Sequence, residues 1–239
     1  MSARHEVDVD GDTVVAVHHE CEGERWVFFS HGLVSDKEGS YEGRCRRAVD
    51  KGFDAVRFDH RGCGESDLGF GEQNLSTRLA DLASVVDYFD PGRCVLFGSS
   101  FGGKVVFHAA VDDLPGSVDV SVADRVQAVA ARAPVTYPGV FDGVTSGTGG
   151  GSGAVDEGFL DDVQGYGFEV VEERLEVPAA VFHGREDATV PVAGSFRAAE
   201  AVEPDVALHV YADEGHLFSR QAESRMRDAF FHWLEYAVE

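Results

Sequence analysis

Three side chains in this sequence have the types and the chain order that acyl chemistry needs: Ser100, Asp187 and His216. A serine hydroxyl is a poor nucleophile until a base takes its proton, and the base needs an acid to hold its ring. Ser100 stands at the centre of Gly98, Ser99, Ser100, Phe101 and Gly102, a G-x-S-x-G pattern. The pattern directly follows an apolar strand signal from Arg93 to Phe97 and precedes a helical one from Lys104 to Val111. That is the setting of a nucleophile elbow. Glycine is needed there because the turn strains the serine backbone and the helix sits close to the strand. The helix start also brings backbone N–H groups near a developing oxyanion. A plain glycine–serine turn or an anion-binding loop would share the spacing. The missing Gly-Lys-Ser/Thr ending argues against a P-loop, and no G-x-G-x-x-G occurs here.

The elements around these residues have to bring them together. His216 follows a strand signal at Val206–Tyr211, and Asp187 follows one at Ala179–His183. Both therefore fall on loops at strand carboxyl ends, where open α/β sheets place their ligands. Further strands are expected at Trp26–Ser30, Asp54–Phe58 and Arg125–Ala133, after a hairpin over Val7–Val17 turning at Asp10 and Gly11. Helical spacing of apolar residues recurs around Tyr41–Val49, Leu75–Phe89, Ala193–Val202 and Ala222–Ala237. Strands alternating with helices imply an α/β class, with a mostly parallel, doubly wound sheet of about eight strands and an antiparallel N-terminal hairpin. Residues 134–176 break the rhythm. They include a glycine-rich run at 147–153 and read as a small lid inserted into a single domain spanning residues 1–239.

With these motifs in hand, the chain resembles the α/β-hydrolase superfamily over nearly its whole length. His31, Gly32 and Leu33 resemble its oxyanion loop, and Asp59 to Ser66 resemble its D-x-R-G-x-G-x-S turn. Ser35 to Glu38 and Arg57 to Gly62 are similar to the serine aminopeptidase-like and cinnamoyl-type esterase branch. The resemblance implies that Ser100 attacks the acyl carbon, that His216 takes and returns the proton, and that Asp187 fixes the imidazole. It also implies an oxyanion hole from the backbone N–H groups of Leu33 and Phe101, and no metal or organic cofactor.

Other residues compete for these roles. Asp213 lies three residues before His216, but the family acid sits a strand earlier. Asp161 and Asp162 fall in the lid and read as solvated. His31 reads as shaping its loop, and His60, His108, His183 and His209 as core or surface residues. His18 and His19 are adjacent in a strand, so they face opposite sides and cannot share a metal. Cys63 reads as a small packed residue, and Asp59 and Arg61 as a pair that holds their turn.

Composition limits the partners. The 239 residues are 44% hydrophobic and 10% aromatic, enough for a large core. Against 43 Asp and Glu stand 20 Lys and Arg, a net charge of -23. Such a surface repels nucleic acid and anionic lipid, so neither is an expected partner. Only three of the basic residues are Lys, and the acidic ones are dispersed. That composition resembles extreme halophiles, in which molar salt shortens the Debye length to roughly 3 Å and mutes self-repulsion. The four cysteines form no C-x-x-C pair. With no apolar leader or membrane span in view, a cytoplasmic protein is expected. The sequence carries no signal for an oligomeric state.

The lid holds Tyr137, Phe141, Phe159, Tyr166 and Phe168, able to wall an apolar acyl or aryl pocket. Its nine acidic residues against Arg174 disfavour a polyanion and would welcome a cationic amine. The expected activity is hydrolysis of a small or medium carboxylic ester through an acyl-enzyme. Its rivals are an aminopeptidase or amidase with the same triad, a non-catalytic ligand-binding protein on this fold, and a halide-assisted perhydrolase.

Overall fold

The computed structural model describes residues 1–137, 140 and 157–238. Its strands are β1 (Ser2–Val9), β2 (Asp12–His19), β3 (Arg25–Ser30), β4 (Asp54–Phe58), β5 (Arg93–Ser99), β6 (Val126–Arg132), β7 (Ala179–Gly184) and β8 (Val206–Tyr211). They form one sheet in the order β1-β2-β4-β3-β5-β6-β7-β8. β2 pairs antiparallel with β1 and with β4, and every other pairing is parallel. The parallel strands in the middle are buried on both faces, which is why β4 and β7 are buried at every position. The hairpin turns on Asp10 (φ 57) and Gly11 (φ 92), two positive values that the strand twist favours in a two-residue loop.

Seven α-helices are described: α1 (Ser40–Asp50), α2 (Leu75–Phe89), α3 (Phe101–Ala109), α4 (Glu157–Gln164), α5 (Glu169–Arg174), α6 (Ala193–Ala201) and α7 (Arg220–Ala237). Alternate side chains of one strand feed two cores. Cys94 and Leu96 of β5 join the core under α2 and α3, whereas Val95 and Phe97 join the one under α1 and α7. α3 starts at Phe101, three residues before the helical pattern becomes legible, because Gly102 and Gly103 hide its first turn.

α4 and α5 have no counterpart in the sequence reading. They pack Phe159, Val163, Phe168 and Val171 into the first core, so this part of residues 134–176 is docked on the domain. Asp162, expected to be solvated, is half-buried and reaches the start of α2. It accepts from the N–H groups of Leu75 (2.8 Å) and Ser76 (3.0 Å) and from the Ser76 hydroxyl (2.5 Å). Asp161 is exposed. Phe141 and the run at 147–153 lie outside the described residues. Among the described residues no helix is long and apolar enough to cross a membrane.

Candidate active site

Ser100 occupies the joint between β5 and α3 with φ 55 and ψ -117, a conformation that L-residues rarely adopt. Its surroundings enforce the strain. Its N–H donates to Arg132 O (2.8 Å), and its carbonyl accepts from Gly103 N (2.9 Å) and Val135 N (3.1 Å). The motif glycines are needed for close approach: a Cβ on Gly98 would overlap the Gly102 carbonyl, and one on Gly102 the carbonyls of Ser30 and His31. Ser99 is buried and accepts from Arg44 Nη1 (3.0 Å), so its hydroxyl points away from this chemistry.

His216 and Asp187 meet Ser100 on one line. His216 Nε2 lies 3.0 Å from Ser100 Oγ, and His216 Nδ1 lies 2.8 Å from Asp187 Oδ2. A carboxylate can only accept, so Nδ1 carries the proton and Nε2 is left to accept from the serine hydroxyl. Asp187 Oδ1 is held by the N–H groups of Thr189 (2.9 Å) and Val190 (2.8 Å). Asp213 is exposed, and the acid bonded to His216 is Asp187. The two loops are bound together by Glu186 N–H donating to Glu214 O (3.0 Å), and Gly184 leaves the room they need.

A second imidazole stands behind the acid. His183 is fully buried, and its Nε2 lies 2.8 Å from Val190 O and 3.2 Å from Asp187 Oδ2, while Nδ1 meets Ser195 Oγ at 2.7 Å. The carbonyl of Val190 fixes the proton on Nε2, so His183 donates toward the oxygen that His216 also uses. Burial pulls its pKa down, which keeps it neutral. The sequence reading placed His183 among core or surface residues. Its place four residues before Asp187, at the end of a strand, was the signal.

The His31–Leu33 loop lies against the nucleophile, with room for a Cβ on Gly32 only 3.5 Å from Ser100 Cβ. His31 shapes it as expected: Nδ1 donates to Gly32 O (2.7 Å) and Nε2 accepts from His60 N–H (3.0 Å). Arg78, completely buried, gathers the carbonyls of His31 (3.1 Å) and Leu33 (3.0 Å). It went unnoticed in the sequence, although a cation inside the Leu75, Leu79, Leu82 stripe is a visible anomaly. Leu33 and Phe101 both line the cavity beside Ser100. Cys63 is packed against this loop and Gln73.

Asp59 and Arg61 do not pair with each other. Asp59 accepts from Lys37 N and Nζ (2.7 Å each) and from Glu65 N (2.9 Å). Arg61 instead binds Asp81 (2.6 Å) and Asp12 (3.2 Å). The turn needs its second glycine because a Cβ on Gly64 (φ 55) would sit on the Asp59 carboxylate.

The cavity above Ser100 measures about 500 Å³ and is largely apolar, with Leu33, Val34, Val135, Val190 and Leu217 among its walls. Arg132 also lines it and donates through Nη1 to the His216 carbonyl. Burial, reinforced by Arg44, pulls the Arg132 pKa down. No Asp or Glu lines the cavity among the described residues. The expected welcome for a cationic amine is therefore not built into these walls.

The family model described as "Serine aminopeptidase, S33" matches residues 22–136. Human mitochondrial palmitoyl-protein thioesterase ABHD10 is 26% identical over 175 residues, covering 68% of this chain and 57% of its own. The bovine protein of that name is 33% identical over 89 residues, 36% of this chain and 28% of its own. The chain thus spans less than two thirds of these relatives' lengths. Est1E from Butyrivibrio proteoclasticus with bound ferulic acid superposes with a TM-score of 0.85 at 18% identity, covering 98% of this chain and 99% of that one. Mouse α/β hydrolase domain-containing protein 10 gives 0.84 at 18% identity, covering 98% of each.

Proposed function

We propose that this chain, which has the α/β-hydrolase fold, is a serine hydrolase cleaving carboxylic esters of small or medium acyl groups through an acyl-enzyme. The observation that carries this reading is the unbroken line from Ser100 Oγ through His216 (3.0 and 2.8 Å) to Asp187. In the proposed cycle Ser100 Oγ attacks the acyl carbon while His216 Nε2 takes its proton. Asp187 stays ionised and stabilises the imidazolium. The backbone N–H groups of Leu33 and Phe101 hold the oxyanion, each worth about 3 kcal/mol in the transition state. His216 then protonates the departing alcohol. A water molecule, deprotonated by His216, cleaves the acyl-enzyme and restores Ser100.

Two other leaving groups use the same steps. The match to the serine aminopeptidase family favours an amide. The match to a palmitoyl-protein thioesterase favours a thioester. Against the first stands a cavity without a carboxylate among its described walls to receive an α-ammonium. Turnover of nitrophenyl acyl esters, a neutral S-acyl thioester and amino-acid nitroanilides by the purified protein in molar KCl separates them. The ester reading expects the nitrophenyl esters to be the best substrates. Faster release from the nitroanilides overturns it in favour of a peptidase, and no turnover of any of them overturns the hydrolase reading.

A further inference from the structure

The charge in the catalytic cavity is opposite to that of the molecule. The chain carries 43 acidic residues against 20 Lys and Arg, yet the charged side chain on the described cavity wall, beside His216, is Arg132. Arg132 is only 9% exposed. A buried guanidinium is costly unless an anion answers it, and among the described residues no carboxylate pairs directly with Arg132; Glu223 and Asp187 act on it only from beyond ion-pair distance. Glu223, whose charge acts on both arginines, is held by Arg44 through Nε (2.7 Å) and Nη2 (3.0 Å). Asp187 is engaged by His216, Thr189 and Val190.

A guanidinium offers five N–H donors. Among the described residues, those of Arg132 find one acceptor, the His216 carbonyl, and the ring of Phe218 at 5.6 Å. None of its nitrogens is buried without a partner. The remaining donors are therefore not sealed from solvent, and Arg132 is one of the residues that line the cavity.

A second feature points the same way. Ser40 and Tyr41, the first residues of the 11-residue helix α1, line the same cavity. Gly39 gives this helix no side-chain cap, and Glu42 of its first turn bonds Arg46 instead. The N-terminus of α1 thus borders the same cavity as Arg132, with the Tyr41 N–H bonded to Glu38 O (3.4 Å).

We propose that Arg132 and the N-terminus of α1 form an anion subsite beside Ser100, so that the preferred ester carries a free carboxylate at the far end of its acyl part. This rests on the reading that Ser100 is the nucleophile of the cavity. The subsite accounts for a buried cation that holds the His216 loop but spends little of its hydrogen-bonding capacity there. It also replaces the broad expectation of a small or medium acyl ester with a chemical class, the half-ester of a dicarboxylic acid.

The probes are monomethyl glutarate and methyl pentanoate, which match in chain length and differ by the terminal carboxylate. Binding is measured calorimetrically on Ser100→Ala, which cannot turn them over, at one fixed KCl concentration. The half-ester is expected to bind at least about tenfold more tightly. Adding Arg132→Gln, which keeps an N–H for the His216 carbonyl, is expected to remove that preference. Equal or tighter binding of methyl pentanoate overturns the proposal, as does a preference that survives Arg132→Gln. The two-ester comparison needs no Arg132 variant, so it decides even if Arg132→Gln does not fold. Turnover of nitrophenyl butyrate by the native protein is read separately. Turnover without the preference defeats the subsite alone, and the preference without turnover defeats the hydrolase reading alone.

Discussion

Ser100 is reached only through a backbone conformation worth about 1–3 kcal/mol of strain, held in place by hydrogen bonds from Gly103 and Val135. On the proposed mechanism, His216→Ala and Asp187→Asn each lower kcat by about three or four orders of magnitude, and their effects do not add. Near-full activity in Asp187→Asn would remove Asp187 from the mechanism. His183 provides a finer test. Its Nε2–H shares Asp187 Oδ2 with His216. Removing that donor leaves more negative charge to stabilise the His216 imidazolium. His183→Phe is therefore expected to move the acidic limb of the kcat/KM profile to higher pH, with His183→Gln moving it back. A lower Tm with an unmoved limb would reduce His183 to packing. At this scale the meeting of Ser100, His216 and Asp187 was legible because motif and strand-end position coincide. Arg132 was not, because what singles it out is its contact with the His216 carbonyl 84 residues away, which no local pattern encodes; Arg78 left a local signal, a cation inside an apolar helical stripe, but not the loop carbonyls it gathers.

The elements supply a different kind of control. Asp162 joins α4 to the first turn of α2, so Asp162→Ala is expected to cost about 1–2 kcal/mol, read as a lower denaturation midpoint. An unchanged midpoint would show that the contact is idle. α3 brings buried titratable groups under α5. Lys104 Nζ donates to Tyr166 O (2.6 Å), and His108 Nδ1 meets Asp113 Oδ2 (2.8 Å). Burial pushes the His108 pKa down to about 4, outweighing Asp113, and that of Lys104 down to about 8. A histidine with a depressed folded pKa leaves the unfolded chain binding more protons between the two values, so stability falls as pH drops from about 6.5 toward about 4. His108→Asn should flatten that slope in a Tm–pH series, and an unaltered slope would assign the acid sensitivity elsewhere. Sheet strands and long helices were readable because burial on both faces or on one stripe leaves a clear period. α4 and α5, of 8 and 6 residues, were not, since helices that short form only against the core they cover.

For the whole molecule, the net charge of -23 and the chemistry are separable. Dispersed carboxylates repel one another less as salt shortens the Debye length. Tm is accordingly expected to rise by several degrees between dilute and molar KCl, and a flat or falling Tm would contradict the halophilic reading of the composition. On the described cavity wall the sign reverses at Arg132, so the charge at the site differs from that of the chain as a whole. Composition averages over a surface, whereas the site depends on which few side chains the strand ends gather. The central claim is that Ser100, activated through His216 and Asp187, is the nucleophile. Reaction with a fluorophosphonate followed by peptide mass spectrometry tests it most directly. The account predicts one adduct, on Ser100, with ester hydrolysis lost in proportion to labelling and no adduct on Ser100→Ala. An adduct on Ser99 or elsewhere, or labelling of Ser100 that leaves hydrolysis intact, would contradict it.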